Sequence, residues 1–407
     1  MPFLVNRGHQ VVVFLHHFGQ LEKQSEVARR FESLGAIVNE KVKPEMLDEA
    51  VESVLEFLED NKPQVFLPQC LIEGFIAGSI AGLNGLPWIA TLHSDDPDYW
   101  EAMDAVRLIG GFSNVVSVSK HISLGVSNRY GIDSEIIRYG VPEPEAFAKW
   151  SNSSFTVVFC GRVIEQQKRI TLVIQSMIEA CWLNKAISCK IVGEGPQLDL
   201  AKQLVRTAGL FHRIQFVGRL APDEVGRELL SVQSILLMSD YEGLPVALIE
   251  AMARGVVPVA RSIPSGIPEL IVSEVSGLMV DHSPMSAAKA IHQLANSRQL
   301  WEECSANARK VYEASFRESD CFKSWLTLIG RIAIDSQAAT KINFAEGKSL
   351  PFRLQLKYCD VFRRANLAAK VYWCLAFLPV SVVKRFLRSR IVVRGPHKIL
   401  RLLKAFK

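Results

Sequence analysis

The sequence predicts an α/β protein made of two doubly wound, parallel-sheet domains. Three observations carry that expectation. Short β-rich apolar runs alternate with helical patterns from near the start of the chain, which is the rhythm of βα units. A polar stretch at residues 150–154 divides the alternation into two series. The 407 residues, 49% hydrophobic and 22% charged, are enough for about two separate cores and too apolar for a disordered chain. The first series places strands at 11–15, 64–67, 88–92, 115–118 and 135–138. The second places them at 155–159, 188–192, 214–217, 234–238 and 257–260. The expected domains are therefore 1–145 and 146–335, followed by an extension at 336–407. In open parallel sheets the ligand lies beyond the carboxyl ends of the strands, so functional residues are expected just after strands and in a cleft between two facing domains.

Composition narrows the function classes. The eight cysteines, at positions 70, 160, 181, 189, 304, 321, 359 and 374, form no CxxC pair and no Cys/His metal-ligand spacing. That argues against a disulfide framework and a structural zinc, and makes the reducing cytosol the default compartment. The formal net charge of +5 hides an asymmetry: residues 341–407 hold 16 Lys+Arg against 2 Asp+Glu, leaving 31 against 40 in residues 1–340. No basic n-region with an apolar h-region opens the chain, and its longest uncharged apolar run, 371–383, is shorter than the roughly 20 residues that span a bilayer.

The extension has its own pattern. Ile399, Leu402, Leu403 and Phe406 fall at i, i+3, i+4 and i+7, with Lys398, Arg401 and Lys404 off that face. An aromatic apolar run at 371–379 is flanked by Arg363, Arg364, Lys384 and Arg385. Two expectations follow: an interfacial element drawn to anionic lipid, or a helical appendage packed on the preceding domains. Nucleic acid is not expected as a partner, because no recognised binding fold accompanies the charge.

Two segments carry candidate chemistry. Gly161 and Arg162, with Lys168 six residues on, follow the strand at 155–159 and precede a helix near Ile170. Two cations at a strand end, beside a glycine that allows close backbone approach, suit a diphosphate, and equally fit a solvated loop with ordinary surface charges. The second segment runs from Asp240 to Gly255, after the strand at 234–238. Pro245 fits the first turn of a helix and Gly255 its carboxyl cap. The helix start beside Gly243 and Leu244 would aim N–H groups and a positive dipole end at an anion. Glu250 is placed to accept from a ribose diol and Glu242 to meet sugar hydroxyls. Two glutamates eight apart carry no weight by spacing alone; their placement at a strand-to-helix junction does.

With those residues in view, the sequence resembles glycosyltransferase family 4, retaining enzymes of the GT-B fold that use nucleotide-sugar donors. The stretch 239–281 is similar to that family's E-x7-E region, including the segments 265–270 and 276–278. The Gly161, Arg162 and Lys168 loop, the 192–196 stretch Val-Gly-Glu-Gly-Pro and the 216–220 stretch Phe-Val-Gly-Arg-Leu are similar to its other landmarks, in the same order. The resemblance spans roughly residues 5–330. It implies that Arg162 and Lys168, with the backbone at Gly243 and Leu244, hold the donor diphosphate. It also implies that Glu250 binds the ribose, Glu242 the transferred sugar, and that Gly193, Gly195 and Val217 border the base pocket. His93, in Thr91-Leu92-His93 after a strand, resembles the family's active-site histidine; a lone histidine is also often a structural hydrogen bonder. The segment 116–119 resembles the part that closes the acceptor side. The donor expected is UDP- or GDP-linked, the acceptor a saccharide or lipid-linked saccharide, as in surface polysaccharide synthesis, with no metal and no further cofactor. The expected location is the cytoplasm, with possible peripheral contact at the inner face of the cell membrane.

The chemistry needed is electrostatic. Departure of a nucleoside diphosphate leaves an oxocarbenium-like sugar, and the negative charge developing on the diphosphate must be stabilised where water is scarce. The leaving phosphate can accept the acceptor's proton on the same face, so Glu242 is not assigned as a nucleophile. One departure is notable: family members begin with a strand, a glycine-rich turn and a helix before a segment like 4–11, which here follows Met1 almost at once. A truncated or misassigned start is therefore expected. The alternatives are a nucleotide-sugar epimerase of the same fold and an inactive relative that binds membrane or a partner.

Overall fold

The computed structural model describes residues 2–337, apart from residues 22, 70 and 111–113. The expected basic extension, with its amphipathic and aromatic segments, lies outside the described residues. The described chain divides into two units that interleave along the sequence: residues 2–91, 97–115 and 326–337 form one, and Leu92–Asp96 with Val116–Trp325 form the other. Among the described residues no helix is long and apolar enough to cross a membrane.

In the first unit a short helix α1 (Pro2–Val5) leads into β1 (Val12–His17), α2 (Glu26–Ser33) and β2 (Ile37–Val42). The two strands pair in parallel from Val12↔Ile37 to His17↔Val42. Ser25 starts α2 as its cap, its Oγ accepting the Ala28 N–H at 3.0 Å and satisfying one of the orphan donors of the first turn. Next come α3 (Leu47–Asn61), α4 (Ile72–Leu83), β3 (Ile89–Leu92) and α5 (Pro97–Ile109). The inner face of α3, with Val51, Val54 and Leu58, packs with Ile76, Ala77 and Ile80 of α4 and with Ala105 and Ile109 of α5. Nearly the whole of α4 is buried, which its sequence, apolar almost all round, requires. Gly78 lets it lie against Trp88, because a Cβ there would stand 2.7 Å from the indole ring.

The expected strand at 64–67 is reduced to isolated bridges, Phe66↔Trp88 and Gln69↔Thr91. Pro63 and Pro68 bracket it, and a proline withholds the N–H a ladder needs. The sequence reading did not anticipate β2, whose Asn-Glu-Lys centre is polar and largely exposed.

The second unit continues with β4 (Asn114–Ser117), α6 (Lys120–Tyr130) and β5 (Glu135–Ile136), then β6 (Phe155–Cys160), α7 (Ile170–Leu183), β7 (Ile187–Val192), α8 (Leu198–Thr207) and β8 (Ile214–Gly218). After these come α9 (Pro222–Leu229), β9 (Ser234–Leu237), α10 (Val246–Ala253), β10 (Val257–Arg261), α11 (Ile267–Leu270) and β11 (Leu278–Val280). The helices α12 (Pro284–Asn296), α13 (Arg298–Ser315) and α14 (Glu318–Gln337) complete the described chain. A six-stranded sheet in the order β11-β10-β9-β6-β7-β8 forms the centre, and its pairs are parallel.

Five of the six residues of β6 and all of β9 are buried, so both faces of the sheet are covered, as its continuous apolar strands predict. The core joins Val157 and Phe159 of β6 to Ile174 and Met177 of α7, Ile191 of β7 and Ile291 of α12. From β6 the chain runs outward to β7 and β8 on one side, then returns to lay down β9, β10 and β11 on the other. The strand order thus reverses between β6 and β9, the place where an open α/β sheet leaves a crevice beyond its carboxyl ends.

Candidate functional site

The two segments singled out in the sequence sit on either side of that reversal. Residues 161–169 follow β6, and residues 238–245 follow β9. Gln167 ties them together: it is buried, its side chain accepts from Arg162 Nη2 at 2.6 Å and donates to the Tyr241 carbonyl at 3.3 Å, and its own carbonyl accepts the Asp240 N–H at 3.0 Å. Arg162, itself exposed, is thereby held with its charge at the mouth of the crevice. Lys168 Nζ donates to Glu242 Oε1 at 2.6 Å, and both side chains are mostly buried. A lysine ammonium has three donors, so this pair leaves two for another oxygen. Asp240 is bound by Arg261 and by Arg169, whose Nε lies 3.5 Å away, which orients the loop from its far side.

The glycines hold these loops at backbone contact. A Cβ on Gly193 would fall 1.9 Å from the Gly161 carbonyl oxygen, and one on Gly195 would fall 2.3 Å from that of Val163. Gly193 adopts φ +137°, a region glycine alone enters easily, while its N–H donates to the Gly218 carbonyl at 2.8 Å. Gly193 and Gly195, expected to border a base, thus carry a backbone-packing duty, and partly exposed Val217 stands beside them at the end of β8.

A second stack reaches the histidine. A Cβ on Gly243 would lie 2.1 Å from the His93 carbonyl oxygen, and one on Gly266 would lie 2.3 Å from that of Gly243. Three strand-end loops, after β3, β9 and β10, therefore meet with no side chain between them, and Leu244 is buried beneath Gly266.

His93 bonds Tyr139 Oη through Nδ1 at 2.7 Å, with ring planes 6° apart. Burial pushes its pKa down to about 4, so at neutral pH it offers hydrogen bonding without charge. Two buried hydroxyls, Ser94 Oγ and Ser239 Oγ, have no hydrogen-bond partner in this region.

The helix α10 begins after Pro245, which gives it no side-chain cap. Gly255, at φ +75°, follows its end as expected of a left-handed terminator. Glu250 is half-buried on α10, and burial raises its carboxyl pKa against the opposing pull of Arg254. The thiol of Cys160, at the end of β6, is pushed up to about 12 by burial, then by Glu250, with Lys168 opposing. The field of Glu250 and Lys168 on this thiol puts both groups in the neighbourhood of the end of β6. Glu269, in the 265–270 segment, binds Arg138 Nη2 at 2.7 Å and the Lys120 N–H at 2.6 Å, fixing the start of α6.

The structure thus gathers Arg162, Lys168, Glu242 and Glu250 at the β6/β9 reversal and sets His93 against Gly243. Sequence reading missed Gln167, Tyr139 and the Arg138 partner of Glu269. Gln167 had a local signal, an uncharged polar residue inside a cationic loop. Tyr139 had none, since its partner is 46 residues away.

The comparisons with known proteins bear on the fold and the class of enzyme. Residues 143–311 match the family model of glycosyl transferases group 1. Over 349 residues the chain is 23% identical to an uncharacterized glycosyltransferase of Methanocaldococcus jannaschii, covering 76% of this chain and 87% of the relative. It is 28% identical over 221 residues to a GDP-mannose-dependent alpha-(1-6)-phosphatidylinositol monomannoside mannosyltransferase of Mycobacterium tuberculosis, covering 50% and 53%. Apart from the archaeal protein, the chain spans about half or less of the curated relatives it matches. Among solved structures it is similar in fold to Anabaena HepE, crystallised with UDP and glucose, with a TM-score of 0.65, 14% identity, and 79% of this chain and all of the other covered. Fold and matches together define the class: a glycosyltransferase with the GT-B fold.

Proposed function

We propose that this glycosyltransferase moves a hexose from a UDP- or GDP-sugar to a saccharide or lipid-linked saccharide acceptor, with retention of configuration, as a member of family 4. The observation that carries this reading is the convergence of Arg162, Lys168, Glu242 and Glu250 on the β6/β9 reversal. Two cations and an uncapped helix start face one crevice, and that is the set of charges a departing diphosphate needs. The M. tuberculosis relative, named for GDP-mannose, and HepE, crystallised with UDP, support a nucleotide-sugar donor without selecting the base.

In this mechanism Arg162 and the two remaining donors of Lys168 bind the diphosphate oxygens, helped by the backbone N–H groups from Gly243 and Leu244 into α10. Glu242 accepts from hydroxyls of the transferred sugar while keeping Lys168 oriented. Glu250, carrying a proton more readily than a free carboxylate, takes the ribose diol. Gly193, Gly195 and Val217 flank the base. As the sugar–phosphate bond breaks, the leaving phosphate oxygen takes the acceptor hydroxyl's proton on the face that is being attacked. Neutral His93, steadied by Tyr139, hydrogen-bonds the sugar without adding positive charge beside a developing oxocarbenium ion.

The test is to incubate the full chain with UDP-glucose, UDP-N-acetylglucosamine or GDP-mannose and a panel of saccharide acceptors, and to read the product by proton NMR. An axial-linked donor giving an axial-linked product supports the reading. An equatorial product overturns retention, and interconversion of the donor sugar without transfer overturns the transferase reaction itself.

A further inference from the structure

Glu269 takes no part in the donor chemistry, yet both of its carboxylate oxygens are engaged. Oε2 accepts from Arg138 Nη2 at 2.7 Å and from Nε at 3.3 Å, and Oε1 accepts the Lys120 N–H at 2.6 Å. The side chains of Arg138 and Glu269 are only 26% and 14% exposed. A charge-assisted contact in which two guanidinium N–H groups meet one oxygen fixes direction as well as distance.

The element that carries Glu269 is itself anchored. Gly266, just before α11, donates its N–H to the Gly243 carbonyl at 2.9 Å, in a backbone contact that a Cβ at either glycine would break. Glu269 therefore stands on a post fixed to the loop after β9, and its bonds run to segments that strand pairing holds only lightly. The strand β5 is two residues long, pairs with β4, and ends two residues before Arg138.

From Glu269 two routes lead to His93, all within the second unit. Arg138 precedes Tyr139, whose Oη bonds His93 Nδ1 at 2.7 Å. Lys120 precedes His121, whose Nε2 lies 3.1 Å from Asp95 Oδ2, two residues beyond His93. The His93 carbonyl in turn packs on Gly243, so the contacts close into a ring that starts and ends at α11. Removing the carboxylate leaves a largely buried guanidinium without its partner and the first N–H of α6 without its acceptor, and both routes slacken together.

We infer that Glu269 is the positioning residue for His93, holding the imidazole in place through Arg138 and Tyr139 on one side and through Lys120, His121 and Asp95 on the other, without touching substrate. It rests on the transferase reading, in which His93 meets the transferred sugar. Nucleotide binding and sugar placement then depend on different residues: Arg162 and Lys168 for the first, Glu269 for the second.

The test labels the histidines of the full chain with 15N and reads their imidazole signals by NMR, with His93→Gln to assign the His93 signal and melting curves to identify folded variants. The His93 signal is expected to move in Glu269→Ala, Arg138→Ala and Tyr139→Phe, while the other histidine signals, except that of His121, stay in place. Combining Glu269→Ala with Arg138→Ala should move it no further than Glu269→Ala does. Release of UDP or GDP from UDP-glucose, UDP-N-acetylglucosamine or GDP-mannose should fall by roughly tenfold to a hundredfold in kcat in Glu269→Ala. Calorimetric affinity for UDP and GDP should stay within about twofold, a split that a general loosening of the fold would not give. Glu269→Gln keeps an acceptor for the Lys120 N–H and loses the charge; it should fall between the parent and Glu269→Ala, and gives the reading if Glu269→Ala does not fold. An unmoved His93 signal in folded variants, or equal losses of turnover and nucleotide affinity, would overturn the inference. A moved signal together with full turnover in His93→Gln would instead count against the role of His93 in the transferase reading, so the two failures are separable.

Discussion

The central strand β6 and the amino-terminal strand β1 are both six-residue strands, yet their settings differ. β6 pairs on both edges and buries five of its residues, whereas β1 pairs with β2 and leaves every residue half-buried. In the second unit, helices cover both faces of the sheet, and the candidate site's charged groups Arg162, Lys168 and Glu242 lie in the loops that follow β6 and β9. In the first, polar residues penetrate the interior: His16 of β1, Ser53 of α3 and Glu73 of α4 form a hydrogen-bonded line. The difference teaches that the second unit holds its charged loops together backbone against backbone beyond the strand ends, whereas the first carries a line of polar side chains through its interior. Perturbations should separate the two designs.

The largest effect is expected at Gly193. Gly193→Ala places a Cβ 1.9 Å from a backbone oxygen at a φ of +137°, with no flexible side chain to yield. A loss of roughly 3 kcal/mol or more is expected, with loss of nucleotide binding, read by denaturant melts and calorimetry. Gly131→Ala, also at positive φ but with nothing within 4 Å, should cost only about 1 kcal/mol and leave binding intact. Equal costs would contradict the backbone-contact design.

Next is Lys168→Ala, which leaves the Glu242 carboxylate buried and unpaired; about 3 kcal/mol of stability is at stake, with a large fall in transfer rate. The double variant Lys168→Met with Glu242→Gln should recover stability without activity, which separates structural from functional loss. A core comparison follows. Phe159→Ala on β6 should cost roughly 3–5 kcal/mol, and Phe14→Ala on β1, half-buried against Phe57, measurably less.

The pH dependence is smaller. His93 is held neutral, its pKa lowered from 6.5 to about 4 by burial, so between those values the unfolded chain binds a proton the folded one refuses. The contribution of this residue is complete above pH 6.5 and is lost as pH falls toward 4, at most roughly 3 kcal/mol. His93→Gln should flatten that part of the acid limb. The smallest effect belongs to Arg227→Ala, which breaks an exposed i,i+4 pair with Asp223 and should change stability by less than about 0.5 kcal/mol.

The legibility of the sequence followed the same division. The strands β6 to β10 were readable because strands buried on both faces are continuous apolar runs, and Gly255 marked the end of α10 as a local rule requires. Elements whose stability is not local were not. The polar β2 exists through its pairing with β1, and the run at 64–67 reads as a strand until its flanking prolines are counted. At the site, Arg162, Lys168, Glu242 and Glu250 could be named because each lies next to a strand end. Their pairings could not: the Lys168–Glu242 bond joins residues 74 apart, and Gln167 acquires its role only when two loops meet. Glu73 drew no notice for the same reason, since a glutamate before an apolar helix reads as a solvated first-turn charge. Only tertiary packing turns it into a buried acceptor.

The claim on which the account depends is that the β6/β9 reversal holds a nucleoside diphosphate through Arg162. The direct measurement is calorimetric titration of the full chain and of Arg162→Ala with UDP and GDP. Arg162 is exposed and its removal spares the core, so the variant should melt like the parent. The account predicts that one nucleotide binds the parent and that affinity falls at least tenfold in the variant. Binding of neither nucleotide to a folded parent, or equal binding to both proteins, would contradict it.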